Sequence, residues 1–128
     1  MPVYNCEKFL EKAIDSILNQ TLDNFEYIII NDGSTDNTLN IIKSYKDSRI
    51  KLINNPQNLG ISHSLNKGIL CARGEYLARQ DSDDISDGDR FKFQLEYLIN
   101  NNVDLVDTSI IYIDEDDKFI RDYAKRVY

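Results

Sequence analysis

Strand-length apolar runs alternate with stretches of helical period along most of this chain, and few folds accommodate that order. Phe9, Leu10, Ala13, Ile14, Ile17 and Leu18 recur at the i, i+3, i+4 spacing, which predicts a helix from about Glu7 to Gln20 with its apolar stripe against a sheet. Phe25 to Ile30 is rich in β-branched and aromatic residues, and Asn31-Asp32-Gly33-Ser34 ends it as a turn. Taking Met1 to Tyr4 as the first strand makes this the second. Thr35 and Asp36 are capping candidates for a helix carrying Leu39, Ile42 and Tyr45, and Ile50 to Ile53 supplies a third strand.

After a loop at Asn54 to Asn58, Ile61, Leu65 and Ile69 predict a helix ending near Gly74. Tyr76 to Gln80 reads as a further strand, and another helix begins near Asp89 with Phe91, Leu95, Leu98 and Ile99 on one face. Leu105 to Ile113 is apolar and β-branched. Asp114 to Asp117 forms an acidic hairpin turn, from which Phe119 to Tyr123 returns as an edge strand. No repeat or linker divides the 128 residues, so they form one domain.

This order predicts a doubly wound, mainly parallel α/β sheet of Rossmann type with an antiparallel C-terminal edge. Ligands of such sheets bind beyond the carboxyl ends of the strands. Three polar clusters stand just after apolar runs: Tyr4-Asn5, Asn31 to Asp36, and Asp81 to Asp84. Though far apart in sequence, they converge on one edge of the sheet.

Charge narrows the ligands that this edge can take. With 22 acidic against 15 basic residues the net charge is −7, which excludes a general nucleic-acid or anionic-membrane surface. A phosphate-bearing ligand would need a divalent cation or backbone N–H groups. The two cysteines, Cys6 and Cys71, each fall in a predicted helix without a CxxC partner, as in a reduced, cytoplasmic chain. No apolar run approaches the roughly 20 residues of a membrane span, so contact with the inner face of a membrane would come through other parts.

The Asp81-Ser82-Asp83 turn can aim two carboxylates at one hard cation, Mg²⁺ or Mn²⁺, leaving coordination sites free for phosphate oxygens. The bland alternative is a solvated acidic turn; placement after a strand favours the metal. An EF-hand fails on register, because Ser86 falls where glycine is required and Lys92 where the bidentate glutamate belongs. Asp32 can accept from a base N–H or a ribose hydroxyl, or can simply serve the turn. Tyr4 can pack in the core or stack on a base. His63 lacks a triad partner and reads as a surface or cap residue, and neither a Walker A run nor GxGxxG occurs.

In order and spacing, Pro2-Val3-Tyr4-Asn5, Asn31-Asp32-Gly33-Ser34-Thr35-Asp36, Asn58-Leu59-Gly60 and Gly74-Glu75-Tyr76 through Asp81-Ser82-Asp83-Asp84 resemble family-2 glycosyltransferases of the GT-A fold. Ala78-Arg79-Gln80 and Ser64-Leu65-Asn66-Lys67-Gly68 are similar to bacterial members that build capsular or other surface polysaccharides. The resemblance implies a nucleotide-diphosphate sugar donor, a UDP-sugar being favoured. It further implies a glycan or lipid-linked acceptor, transfer with inversion, and a Mn²⁺ or Mg²⁺ cofactor. By motif, Pro2 and Tyr4 line the base pocket, Asp32 holds the base and Ser82 walls the pocket. Asp81 faces the ribose or the metal-bound phosphates, and Asp83, with Asp81, holds the metal.

Two departures accompany the match. Met1 abuts Pro2 where the family has several apolar residues, and Tyr128 precedes the region of the family's acceptor-side carboxylate base. The expectation is a donor-binding portion over residues 1–128, incomplete at both ends, whose clipped strand a second copy in a homo-oligomer would cover. Two other readings compete: a non-catalytic nucleotide-sugar-binding module or inactive fragment, and a phosphoacceptor receiver domain. The receiver needs an aspartate after its third strand, where Asn54-Asn55 stands.

Overall fold

The computed structural model describes residues 1–123, in two compact units, one over Met1–Phe93 and the other from Gln94 onward. The first contains β1 (Pro2–Val3), α1 (Leu10–Leu18), β2 (Tyr27–Asn31), α2 (Thr38–Ser44), β3 (Ile50–Asn54) and α3 (Ile61–Cys71). The strands lie in the order β1-β2-β3, all parallel, with Val3 opposite Asn31 and Asn31 opposite Asn54. This is the predicted βαβαβ arrangement.

The stripe predicted for α1 is the centre of the core. Leu10, Ala13, Ile14 and Ile17 are buried, as are Val3, Tyr27 and Ile29 of the sheet and Ile41 and Ile42 of α2. Burial of each large aliphatic side chain contributes about 1.5–3 kcal/mol before chain entropy is counted. The helix begins later than its periodicity suggests, because Cys6 O accepts from both the Phe9 and Leu10 amides and holds residues 6–9 as a turn. Cys6 therefore precedes α1, whereas Cys71 is the last residue of α3. In α3 it is small residues that approach the sheet. Ser64 is fully buried, and a Cβ on Gly68 would stand 3.0 Å from Ile30 Cδ1, while Ile61 and Ile69 are exposed.

Residues 76–80 are not a strand, contrary to the expectation. Tyr76 is exposed, Leu77 is 62% exposed, and only Gln80 of the five is buried. Among the described residues β1 is an edge of the three-stranded sheet. The Met1 and Val3 carbonyls accept from the amides of Ile30 in β2 and of Asp32 just after it, so the backbone of Pro2 and Tyr4 faces the other side. Pro2 has no N–H to give a neighbouring strand.

α4 (Arg90–Asn101) begins in the first unit, where Phe91 packs edge-on against Phe25 with ring centroids 5.5 Å apart. In the second unit β4 (Ile110–Ile113) and β5 (Phe119–Tyr123) pair antiparallel. They form a two-stranded sheet of their own, so the returning strand expected at a sheet edge belongs to a hairpin. The acidic turn between them is structural: Asp114 Oδ1 accepts from the Asp116 and Lys118 amides, both at 2.9 Å.

Candidate functional site

Because Val3, Asn31 and Asn54 are in register, the next residues along, Tyr4, Asp32 and Asn55, emerge side by side at the carboxyl edge of the sheet. The ladder runs one step further, with Asp32 N donating to Val3 O and Asn55 N to Asn31 O, both at 2.8 Å. Side chains then sew the first two loops together. Asn5 Oδ1 accepts from the Thr35 amide at 2.8 Å, and the Asn5 amide donates to Ser34 Oγ. The Cys6 amide donates to Thr38 Oγ1 at 2.9 Å, and Asp36 accepts from the Glu7 and Thr38 amides. Burial alone would raise the Asp36 carboxyl, but these hydrogen bonds outweigh it and hold the group below the usual carboxylate range.

Two cavities open at this edge. One, of about 280 Å³, is lined by Pro2, Val3, Tyr4, Asp32, Asn58, Gly60, Ile61 and Ser82. The other, of about 410 Å³, shares Tyr4 and Ser82 and adds Asn5, Cys6, Asp36 and Asp83 among its walls. Pro2, Tyr4, Asp32 and Ser82, four residues singled out from the sequence, thus border one hollow, with Asp83 in the hollow beside it. Tyr4 is 46% exposed, so its ring is not core packing. His63 lies exposed on α3 and borders neither cavity.

Asp32 is only 3% exposed, and its carboxylate is held from several sides. Oδ1 accepts from Asn55 Nδ2 at 2.7 Å and the Leu59 amide at 3.1 Å, and Oδ2 from the Gly60 amide at 2.8 Å. Burial pushes its pKa up, but hydrogen bonds from Asn55, Leu59, Gly60 and Ser64 prevail and keep it below the usual range. It is a fixed anion that shapes one wall of the smaller cavity. Asn55 was not recognisable from the sequence as part of this site. An asparagine after a strand reads as turn chemistry, and only the parallel register sets it beside Asp32.

Gln80 organises the acidic loop. Its Nε2 donates to the carbonyls of Asp81 (3.0 Å) and Asp84 (2.7 Å), and its Oε1 accepts from Ser86 Oγ and Arg90 Nη2. From the other side Cys6 Sγ donates to Ser82 O at 3.4 Å. Burial pushes the Asp84 carboxyl up, and Asp83 and Asp81 push it further. Asp81 and Asp83 differ sharply. Arg79 grips Asp81, with Nη2 3.0 Å from each oxygen and Nε 3.2 Å from Oδ1. Asp83 is exposed beside the larger cavity without a hydrogen bond or ion pair among the described residues.

The donor set fits a hard divalent cation in part. Among the described residues, no three His, Cys, Asp or Glu side chains gather closely enough to enclose a metal. Asp83, with Asp81 at its back, offers carboxylate oxygens of the kind that Mg²⁺ and Mn²⁺ prefer, and ligand oxygens would have to complete the shell.

Comparison with known proteins agrees with this geometry. A family model, Glycosyl transferase family 2, matches residues 1–126. An uncharacterised glycosyltransferase of Haemophilus influenzae is 46% identical over 101 residues, which is 77% of this chain and 31% of that protein. The Escherichia coli UDP-Glc:alpha-D-GlcNAc-diphosphoundecaprenol beta-1,3-glucosyltransferase WfgD is 36% identical over 103 residues, covering 80% of this chain and 41% of its own length. Residues 1–349 of S. aureus TarS in complex with UDP superpose with a TM-score of 0.73 at 28% identity, over 79% of this chain and 31% of that one. The mannosyltransferase PcManGT of Pyrobaculum calidifontis, in complex with GDP-Man and Mn²⁺, gives 0.70 at 25% identity over 76% and 30%. The chain spans less than half the length of the curated relatives it matches first. A parallel βαβαβ sheet with its polar loops at one edge, matched almost end to end by the family model, makes this chain a member of glycosyltransferase family 2.

Proposed function

We propose that residues 1–128 form the donor-binding portion of an inverting glycosyltransferase that uses a UDP-sugar with Mn²⁺ or Mg²⁺. The convergence of Tyr4, Asp32 and Ser82 on one cavity, with Asp83 in the cavity beside it, carries this reading. The base enters the smaller hollow, where the half-exposed Tyr4 ring offers a face for stacking and the anionic Asp32 accepts from a ring N–H. Pro2 and Ser82 wall it. The diphosphate extends toward Asp83, where a bound cation would neutralise the charge that develops as the sugar leaves. Asp81, paired with Arg79 and bordering neither cavity, is assigned to the ribose by its motif alone.

The acceptor is a hydroxyl of a glycan or of a lipid-linked sugar in surface-polysaccharide synthesis, a reading supported by the printed activity of WfgD. The two free cysteines accord with a cytoplasmic location. No described helix is long and apolar enough to cross a membrane, so attachment to its inner face would fall to other parts.

One observation favours a donor-binding role without catalysis for these residues alone. Of the carboxylates around the cavities, Asp32, Asp36 and Glu7 are all engaged by backbone amides, and Asp83 stands on the diphosphate side. An acceptor-side base would therefore come from outside the lining of these two cavities. Calorimetry with UDP in Mn²⁺ and then in chelator tests the donor reading. Binding in Mn²⁺ at least tenfold tighter than in chelator is expected, and equal affinities would refute the metal-assisted site.

A further inference from the structure

Asn55, 2% exposed, is trapped between a group that can only accept and a group that can only donate. Its Nδ2 donates to Asp32 Oδ1 at 2.7 Å and to Ser64 Oγ at 3.2 Å. Its Oδ1 accepts from Lys67 Nζ at 2.6 Å. An amide turned through half a circle exchanges oxygen and nitrogen with little change of shape, so packing alone cannot fix its direction. The charges can. A carboxylate has no proton to give and an ammonium has no lone pair, so Asp32 and Lys67 demand the same orientation.

The consequence reaches the cavity. With the Asn55 amide fixed, Asp32 is free to hold the Leu59 and Gly60 amides, and Gly60 borders the smaller hollow. Lys67 touches neither cavity itself. Without its ammonium, the amide can turn and set a carbonyl against the Asp32 carboxylate, loosening the 59–60 wall.

We propose that Lys67 is a positioning residue for the nucleotide base, acting through the Asn55 amide on Asp32 and so on the Leu59–Gly60 wall. The proposal rests on the donor-binding reading for its ligand, but its structural half can be read without one. Lys67→Met keeps the side chain's bulk and removes the donor; Lys67→Arg keeps a donor. In Mn²⁺, Lys67→Met should bind UDP about tenfold more weakly than the parent protein while binding inorganic pyrophosphate within about twofold of it. Lys67→Arg should stay within about threefold for both. Equal weakening of UDP and pyrophosphate by Lys67→Met, or no weakening of UDP, would overturn the proposal, as would a loss in Lys67→Arg as large as that in Lys67→Met. Amide hydrogen exchange without ligand gives the second arm. Exchange at Leu59 and Gly60 should quicken about tenfold in Lys67→Met while Ile29 in β2 is unchanged, and unaltered exchange at those two amides would also overturn it. Should the parent protein bind no UDP, the donor reading falls and this arm still decides the relay.

Discussion

The Arg79 guanidinium spans both oxygens of Asp81, while Asp83, two residues further on, has no such partner among the described residues. One aspartate of the Asp81-Ser82-Asp83 triplet is thus neutralised by the protein, and the other is exposed. Asp83→Asn should abolish the difference between UDP binding in Mn²⁺ and in chelator, yet shift unfolding by less than about 0.5 kcal/mol, because no bond is lost. Arg79→Gln should instead free Asp81 and tighten Mn²⁺ a few-fold, read by Mn²⁺ titration with electron paramagnetic resonance. Weaker Mn²⁺ binding in Arg79→Gln would show that the guanidinium assists the cation.

Gly33 tests how tightly the loop of residues 55–60 leans on the turn after β2. Its φ is +70°, and a Cβ there would stand 2.6 Å from Gln57 Cα and 2.7 Å from the Asn58 nitrogen. Both are backbone atoms, so a rotamer change cannot relieve the clash. Gly33→Ala should cost about 1–3 kcal/mol in urea unfolding and, on the donor-binding reading, weaken UDP, because Asn58 borders the smaller cavity. Unchanged stability would mean that the 57–58 backbone yields freely.

Asp32 and Asp36 give the stability a pH dependence of definite sign. Both carboxyls titrate below their ordinary value of 3.8, since hydrogen bonds to the anion outweigh burial. Their contribution is therefore complete above the unfolded-state value and lost as pH falls through the folded-state values, a window below about pH 4. Urea midpoints measured from pH 6 to pH 3 should fall steeply at the acid end, and Asp32→Asn should flatten that fall while lowering stability at pH 6. A slope unchanged by Asp32→Asn would assign the acid sensitivity elsewhere.

How far the sequence announces this site depends on the kind of signal each residue gives. The stripe of α1 and the β-branched run of β2 carry strong periodicity, and their alternation alone places Tyr4 and Asp32 at one edge. Tyr76-Leu77-Ala78 has strand-like composition but stays exposed and outside the sheet, a fact of pairing that composition does not contain. Asn55 joins the site through the Asn31–Asn54 register and Lys67 through one further helical turn beyond Ser64, contacts that only the packed structure creates. The Arg79–Asp81 pair was closer to legible, since alternate residues of extended chain project to the same side.

Gln80 is the strongest test of whether the acidic loop is held in shape before any ligand arrives. It is 5% exposed, and both ends of its amide are used: two carbonyls of the loop accept from Nε2, and Ser86 and Arg90 donate to Oε1. Gln80→Met preserves volume but takes that donor from the Asp81 and Asp84 carbonyls and the acceptor from Ser86 and Arg90, and each hydrogen bond so lost costs about 0.5–1.5 kcal/mol. Gln80→Glu is the harsher change, because it sets a carboxylate oxygen against those same carbonyls in a loop already crowded with Asp81, Asp83 and Asp84. Urea unfolding should therefore rank the parent protein above Gln80→Met and Gln80→Met above Gln80→Glu at pH 7, with the gap between the two variants closing as pH falls toward 5 and the introduced glutamate protonates. Metal-dependent UDP affinity should follow the same order, since Asp83 is aimed by this loop. If Gln80→Met unfolds like the parent but loses the Mn²⁺ effect, the residue aims the loop without stabilising the domain; if neither changes, the loop is held by Arg90 and Cys6 instead.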